Sequence, residues 1–181
     1  MALSLLVSLP SWSADFDKGL AAYKRGDYAT AIREWRPLAE QEHACAQFNL
    51  GVMYERGEGV VQDYGQAAQW YRRAAEQGYA MAQNNLGVMY GLGDSVLQNY
   101  VTAHRWGNIA RANGNESGML LDALEQLMSK DQIAEAQQRA IDSVANQYKN
   151  FLGDGQSRPG GLSWASPDAA LAIYRVIYRV W

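Results

Sequence analysis

The chain repeats itself with a period of 36 residues. Tyrosines recur at this spacing at Tyr28, Tyr64 and Tyr100, and the segment Ala44–Gly57 returns as Ala80–Gly93 with ten of its fourteen residues unchanged. A fixed period of this length is typical of a solenoid, in which similar units stack and bury each other's hydrophobic faces. Stacked repeats present extended walls, and such walls mostly bind other molecules rather than transform them.

Each unit reads as two helices joined by a loop. Small and apolar residues recur at spacings of three and four within Ala44–Tyr54 and again within Tyr64–Gly78, which indicates one buried stripe on each helix. Asp63 follows the glycine-rich loop and is placed to cap the second helix with its carboxylate. Gly51 and Gly87 lie on the buried stripes, so we expect each at a helix–helix contact with no room for a side chain.

The same pattern divides the chain into consecutive segments. Residues 1–14 are apolar and end in small residues, as a truncated signal peptide does. Three helix-pair units follow over residues 15–114, and a pair of capping helices is expected over 115–150, within Glu116–Met128 and Asp131–Gln147. The units span residues 15–43, 44–79 and 80–114. A Gly/Ser/Pro linker occupies residues 151–167, and an apolar tail of uncertain structure occupies residues 168–181.

The segment AQFNLGVMYERGEGVVQDYGQAAQWYRRAAEQG, at Ala46–Gly78, resembles a Sel1-like repeat, a relative of the tetratricopeptide solenoids. The positions that match the family's pattern are Gly51, Tyr54, Gly57, Gly59, Asp63, Ala67, Trp70, Ala74, Ala75 and Gly78. The third unit departs from it at Ser95, Gly107 and Arg111. The resemblance covers roughly residues 15–114 and implies an all-α, right-handed α-solenoid of stacked antiparallel helix pairs. It also implies an adaptor role in protein complexes, in bacteria often in envelope, signalling or host-contact settings.

Charge and hydropathy narrow the class of partner and the compartment. The net charge of −3 comes with no basic stripe, so nothing in the sequence favours nucleic acid. No apolar run is long enough to span a membrane. Because of the leader, we expect a periplasmic or secreted protein, or a cytoplasmic one if the leader is not a signal.

Few residues suggest chemistry. Cys45 is the single cysteine and matches Met81 in the next unit, which favours a small apolar role. His43 lies in a turn and His104 replaces Ala68 on a helix, so we expect solvated or capping roles for both. No ligand spacing for a metal, no phosphate loop and no nucleophile–base pair is visible. We therefore expect no enzyme activity, no catalytic residue, no metal and no cofactor.

The positions that differ between the two first-helix copies point to a binding face. They are Cys45/Met81, Phe48/Asn84, Glu55/Gly91 and Arg56/Leu92. Cys45, Phe48 and Glu55 lie with Val52 on one face of the helix. We interpret this face as taking no part in packing between units. First helices line the inner wall of tetratricopeptide-like stacks, so this face predicts a groove, with an exposed Phe48 as its apolar mark. The first unit is aligned on Tyr23 and Tyr54. The predicted groove residues are Asp17, Ala21, Lys24, Phe48, Val52, Glu55, Met81, Asn84 and Val88.

The sequence thus favours a non-enzymatic protein-binding module that holds a peptide or a partner segment in this groove. The protein is expected to be a monomer, and association through the tail stays open. Two alternatives remain: a cell-envelope enzyme or β-lactam-binding protein, and a purely structural spacer. A nucleophile with a base in reach would favour the enzyme, and a wholly polar groove would favour the spacer.

Overall fold

A computed structural model describes residues 14–94, 96–115 and 118–154, with the backbone alone for residues 147–154. Within these ranges the chain forms eight α-helices and no strand, which confirms the predicted all-α class. The helices are α1 (Phe16–Lys24), α2 (Tyr28–Glu40), α3 (Ala44–Arg56), α4 (Tyr64–Glu76), α5 (Ala80–Leu92), α6 (Tyr100–Ala112), α7 (Met119–Glu125) and α8 (Lys130–Asp154). The predicted leader, apart from residue 14, the tail and residues 155–167 of the linker lie outside the described residues.

Helix boundaries follow from side chains that bond to the free ends of the backbone. Asp63 and Asn99 accept the backbone N–H groups of Gln66 and Thr102 at the starts of α4 and α6. His43 caps α3 in the same way, because its Nδ1 accepts the N–H of Ala46 at 3.2 Å, which confirms the expected capping role. At the other ends of α3 and α5 the chain turns through glycines in the left-handed region.

The helices stack in chain order, as an α-solenoid of helix pairs requires. Each helix from α1 to α6 packs against the next, and α6 also contacts α7 and α8. We call the odd-numbered member of each pair the first helix and the even-numbered member the second helix. Three clusters of buried side chains follow one another along the stack, and Trp35, Tyr71 and Leu86 are among the largest that are fully buried.

A buried glutamine ties each unit to the one before it. Gln47 donates from Nε2 to the carbonyl of Ala39 at 2.9 Å, and its Oε1 accepts a hydrogen bond from Gln77 at 2.7 Å. Gln83 makes the equivalent two bonds one period later. Because both polar ends of each amide are satisfied, the buried side chains are compatible with the core and fix the distance between units.

Glycines allow the closest helix contacts, as the sequence predicts. A Cβ atom added to Gly51 would lie 2.6 Å from the ring of Tyr71, so α3 and α4 approach each other across a bare backbone. The third unit has Gly107 in place of Tyr71, and α7 fills the vacated space. Leu121 of α7 would lie 2.8 Å from a Cβ on Gly107, and Leu120 would lie 2.8 Å from a Cβ on Gly87. The leucines of α7 therefore cover the last apolar edge of the repeats.

The C-terminal helices differ in length from the prediction. The first is shorter than Glu116–Met128, since α7 begins after Gly118, and the second is longer than Asp131–Gln147. Because no glycine or proline interrupts α8 before Gly153, it continues past the boundary expected at residue 150. A capping box marks the start of α8, with the Ser129 N–H donating to Gln132 at 2.9 Å and the Gln132 N–H to Ser129 at 3.3 Å.

Candidate partner-binding surface

The predicted groove residues lie on the sides of the first helices α1, α3 and α5, and none of them is buried. We call the accessible sides of these three helices the first-helix surface. The exposed members of the set are Asp17, Ala21, Lys24 and Met81. The half-buried members are Phe48, Val52, Glu55, Asn84 and Val88. The solvent can thus reach every predicted position, but to very different extents.

Phe48 is packed, and this corrects the expectation of an exposed ring. Its centroid lies 5.7 Å from that of Tyr71 in the same unit and 5.1 Å from that of Tyr79 at the start of the next unit. Val52 packs against the same cluster. The interpretation that this face takes no part in packing between units is therefore wrong at Phe48, because the ring fills the space between α4 and the turn before α5.

The first unit contains the same aromatic arrangement in a different register. The ring of Phe16 lies 5.9 Å from Trp35 and 5.1 Å from His43, and these partners precede Tyr71 and Tyr79 by one period. Phe16 thus occupies the place that corresponds to Phe48. The alignment on Tyr23 assigned that place to Asp17, which is one residue off and exposed.

The Glu55 carboxylate is engaged within its own unit. It accepts a hydrogen bond from the Tyr71 hydroxyl, which is buried in the contact between α3 and α4. Burial raises the pKa of Tyr71, and the bond to Glu55 raises it further, so this hydroxyl remains a donor. Burial together with the neighbouring Cys45 thiol raises the pKa of Tyr79 to about 12.

An apolar patch lies at the C-terminal end of the first-helix surface. Met81 and Leu92 are exposed, the latter by 66 %, and their separation of eleven residues places them on one face of α5. Val88 lies between them on that face, and Met119 of the neighbouring α7 is 78 % exposed. We call Met81, Val88, Leu92 and Met119 the α5–α7 patch. Leu92 was missed by the sequence reasoning, although it is one of the four positions that vary between copies.

The charge of the first-helix surface changes along the stack. In α1 the exposed residues include Asp17 and Lys24, and in α3 they include Arg56. Helix α5 contains no Asp, Glu, Lys or Arg in its thirteen residues. An uncharged helix with exposed aliphatic side chains favours contact with another apolar surface over contact with water.

His104 is buried in α6, and this corrects its expected solvated or capping role. Its Nδ1 lies 2.8 Å from the amide nitrogen of Asn108, and its Nε2 lies 3.5 Å from the carboxylate of Glu125 on α7. The Asn108 oxygen accepts from Arg111, so its amide nitrogen faces the ring and Nδ1 acts as an acceptor. The sequence offered one hint of this burial, the small Ala68 at the equivalent position one period earlier.

This burial predicts that acid weakens the fold. Burial lowers the pKa of His104, and the Glu125 carboxylate offsets part of that effect. The unfolded chain, with an ordinary histidine pKa of about 6.5, therefore takes up a proton more readily than the folded chain. Stability is retained above that pH and is lost as the pH falls below it.

Urea unfolding between about pH 7.5 and 5.5 measures the loss. We expect His104→Ala, which installs the residue found at position 68, to reduce the pH dependence of the unfolding free energy. An unchanged slope in the variant would show that other groups govern it.

Among the described residues, no group of three or more His, Cys, Asp or Glu side chains lies together as metal ligands would. A membrane-crossing helix, both long and apolar enough, is likewise not found in the part of the chain that the structure describes.

The fold and its period define the protein as a helix-pair repeat protein of the α-solenoid class. The family model for the Sel1 repeat matches residues 46–79 and 80–115. A solved Sel1 repeat protein from Oxalobacter formigenes is 36 % identical, with 61 % of this chain and 85 % of that chain covered and a TM-score of 0.54. The chain belongs to the Sel1 repeat family.

A second solved structure extends the similarity over more of the chain. It is a protective antigen of uropathogenic Escherichia coli strains that displays an SLR fold, with 26 % identity and a TM-score of 0.67. The match covers 80 % of this chain, which spans 33 % of the length of that antigen. Among curated proteins, none is similar in sequence to this chain.

Proposed function

We propose that this protein is a non-catalytic adaptor that binds an apolar segment of a protein partner along its first-helix surface. Sel1 repeats are generally protein-interaction modules, and family membership supports the general role. The observation that carries the specific proposal is the α5–α7 patch, where Leu92 and Met119 are largely exposed on two neighbouring helices of the described part of the chain. Apolar patches of this kind on a stable scaffold mark binding sites.

Phe48 has a different role in this proposal from that of a free anchor. Its ring is held by Tyr71 and Tyr79, so it forms a rigid part of the wall between the second and third units. A preorganised wall loses little conformational entropy when a partner binds. The partner would meet Phe48 and Val52 only at their accessible edges, and would bury Leu92 and Met81 more completely.

The charge gradient suggests how a partner is oriented. A segment that is polar at one end and aliphatic at the other fits Asp17 and Lys24 on α1 at its polar end and the α5–α7 patch at its aliphatic end. A spacer without a partner would be expected to present polar residues over the whole surface, which is unlike α5. Export from the cytoplasm stays a prediction, because the leader lies outside the described residues.

The proposal predicts that Met81→Asp/Leu92→Asp weakens partner binding at least tenfold, because two buried aliphatic contacts are replaced by carboxylates that must be desolvated. A pull-down with the full chain from an envelope extract of the native host would supply the partner, and calorimetric titration would give Kd. Leu127→Asp is the matched control, since Leu127 is 62 % exposed, close to the 66 % of Leu92, but lies in the connection after α7, outside this surface.

The folded state should tolerate these changes, because the substituted side chains are exposed.

Phe48→Ala should weaken binding by about 1 kcal/mol and should also lower stability, since the ring packs between units. If Met81→Asp/Leu92→Asp binds the partner as tightly as the wild type, the first-helix surface is not the site.

A further inference from the structure

A second set of exposed apolar residues lies along one edge of the stack, in the connections that follow the first helices. Val61 is 88 % exposed and Leu97 is 89 % exposed, and the two are one period apart. Leu127 is also exposed. These residues lie in the connections after α3, α5 and α7, each of which joins a first helix to its second helix. All three therefore lie along the same edge of the stack, and we call them the loop edge.

The connections that carry Val61 and Leu97 are braced. Gln62 donates from Nε2 to the carbonyl of Glu55 at 2.8 Å and to the Tyr64 hydroxyl at 3.1 Å. Gln98 makes the same two bonds in the next unit, at 2.9 and 3.2 Å. The residue before each glutamine is therefore held outward in a fixed position. A single exposed aliphatic residue is ordinary, but a braced row over consecutive units is suited to holding an apolar chain.

Three acidic side chains lie in these connections, and they are bordered by Arg56 at the end of α3 and Lys130 at the start of α8. Among the described residues of the three connections, the charged side chains are Glu58, Asp63 and Asp94, with no Lys or Arg. Asp63 caps α4, and Glu58 accepts a hydrogen bond from the Tyr23 hydroxyl and lies 3.9 Å from Arg56. The fitting occupant is therefore an aliphatic or aromatic segment that carries positive charge and no carboxylate side chains.

The chain itself contains such a segment outside the described residues. Residues 169–181, AALAIYRVIYRVW, are apolar except for Arg175 and Arg179. Helix α8 starts at Lys130, three residues after Leu127, and carries the chain about 37 Å over its length. Residues 155–168 can extend over about 48 Å. The segment can therefore return to the loop edge of its own molecule.

We propose that residues 169–181 dock on the loop edge of the same molecule, with their apolar side chains on Val61 and Leu97 and their arginines towards Asp94. This contact uses other residues than the partner-binding surface proposed above, although Leu92 of that surface directly precedes the connection that carries Leu97. It would shield the exposed aliphatic row from water and from other chains.

Trypsin provides the test, because it cleaves after Arg175 and Arg179 only when the segment is accessible. With the full chain, mass spectrometry should show cleavage at these bonds at least tenfold faster in Val61→Asp/Leu97→Asp than in the wild type. Leu171→Asp, within the segment but away from both bonds, should accelerate it similarly. Combining all three substitutions should give little further increase, because each disrupts the same contact.

Met81→Asp is the control and should be cleaved at the wild-type rate. Equal rates for the wild type and Val61→Asp/Leu97→Asp would overturn the proposal. Acceleration by Met81→Asp alone would place the segment on the first-helix surface instead. Protection that disappears on tenfold dilution would show that the segment comes from a second copy of the chain, which overturns docking within one molecule.

Discussion

Tyr71→Ala should lower the free energy of unfolding by about 3–5 kcal/mol, which is the range for removing a large buried aromatic side chain. The ring is fully buried, contacts the backbone of Gly51 and lies tilted against the ring of Phe48. Its removal would open a cavity at the contact between α3 and α4 and would leave the Glu55 carboxylate without its buried donor. Urea unfolding followed by circular dichroism gives the change directly.

Tyr71→Phe is the matched control, because it removes the hydroxyl and keeps the ring. It should cost about 1 kcal/mol, the net value of one hydrogen bond. If Tyr71→Ala and Tyr71→Phe were equally destabilising, the hydrogen bond to Glu55 would be the main contribution and the packing account would fail. If neither changed stability, the contact between α3 and α4 would not limit unfolding.

The third unit shows how this solenoid tolerates the loss of the same ring. Gly107 stands in place of Tyr71, and Leu120 and Leu121 of α7 occupy the space beside it. In the third unit the capping helix α7 thus fills the space that the Tyr71 ring fills in the second unit. A sequence comparison alone registers Gly107 as a departure from the family pattern. The structure identifies it as the slot into which the cap packs.

The local features of the fold could be predicted from the sequence because they depend on neighbouring residues. The period, the helix pairs and the cap at Asp63 follow from spacing and from the chemistry of helix ends. The tight contacts at Gly51 and Gly87 follow from small residues on a buried stripe. Each of these inferences needs only the residues within about one helical turn or one period.

The features that were wrong depend on register and on distant contacts. The loop between α1 and α2 is shorter than in the later units, so one aligned tyrosine could not fix the register, and Asp17 was placed where Phe16 lies. Phe48 varies between units, but variation does not distinguish an open face from one that is packed differently. Its ring meets Tyr79, which lies 31 residues further along the chain.

The burial of His104 and the exposure of Leu92 were both missed in the sequence. A histidine on a helix was expected to be solvated, and it is buried because α7 lies over it and brings Glu125 to its ring. A leucine at the end of α5 was left out of the groove, and it is largely exposed because none of the described helices covers that side chain. In both cases, burial is determined by an element outside the repeat pattern.

Gly87→Leu should destabilise the protein by about 1–3 kcal/mol, the usual cost of forcing extra atoms into a packed contact. A Cβ at this position would already lie 2.8 Å from Leu120 and 3.1 Å from the backbone carbonyl of Ala103. The leucine side chain of α7 could shift, but the α6 backbone can do so only by separating the two helices. Thermal and urea unfolding of the variant measure the cost.

Gly91→Ala, four residues further along the same helix, is the control that separates packing from helix propensity. Its Cβ would meet Leu124 and Ala103 only at ordinary contact distances of 3.7 and 3.8 Å. Alanine is favoured over glycine within a helix by roughly 0.5–1 kcal/mol, so this variant should be slightly more stable than the wild type. An unchanged unfolding midpoint for Gly87→Leu would contradict the close packing of α5 against α6 and α7. It would also contradict the conclusion that α7 covers the end of the repeats, because Leu120 of α7 packs on the bare backbone at Gly87.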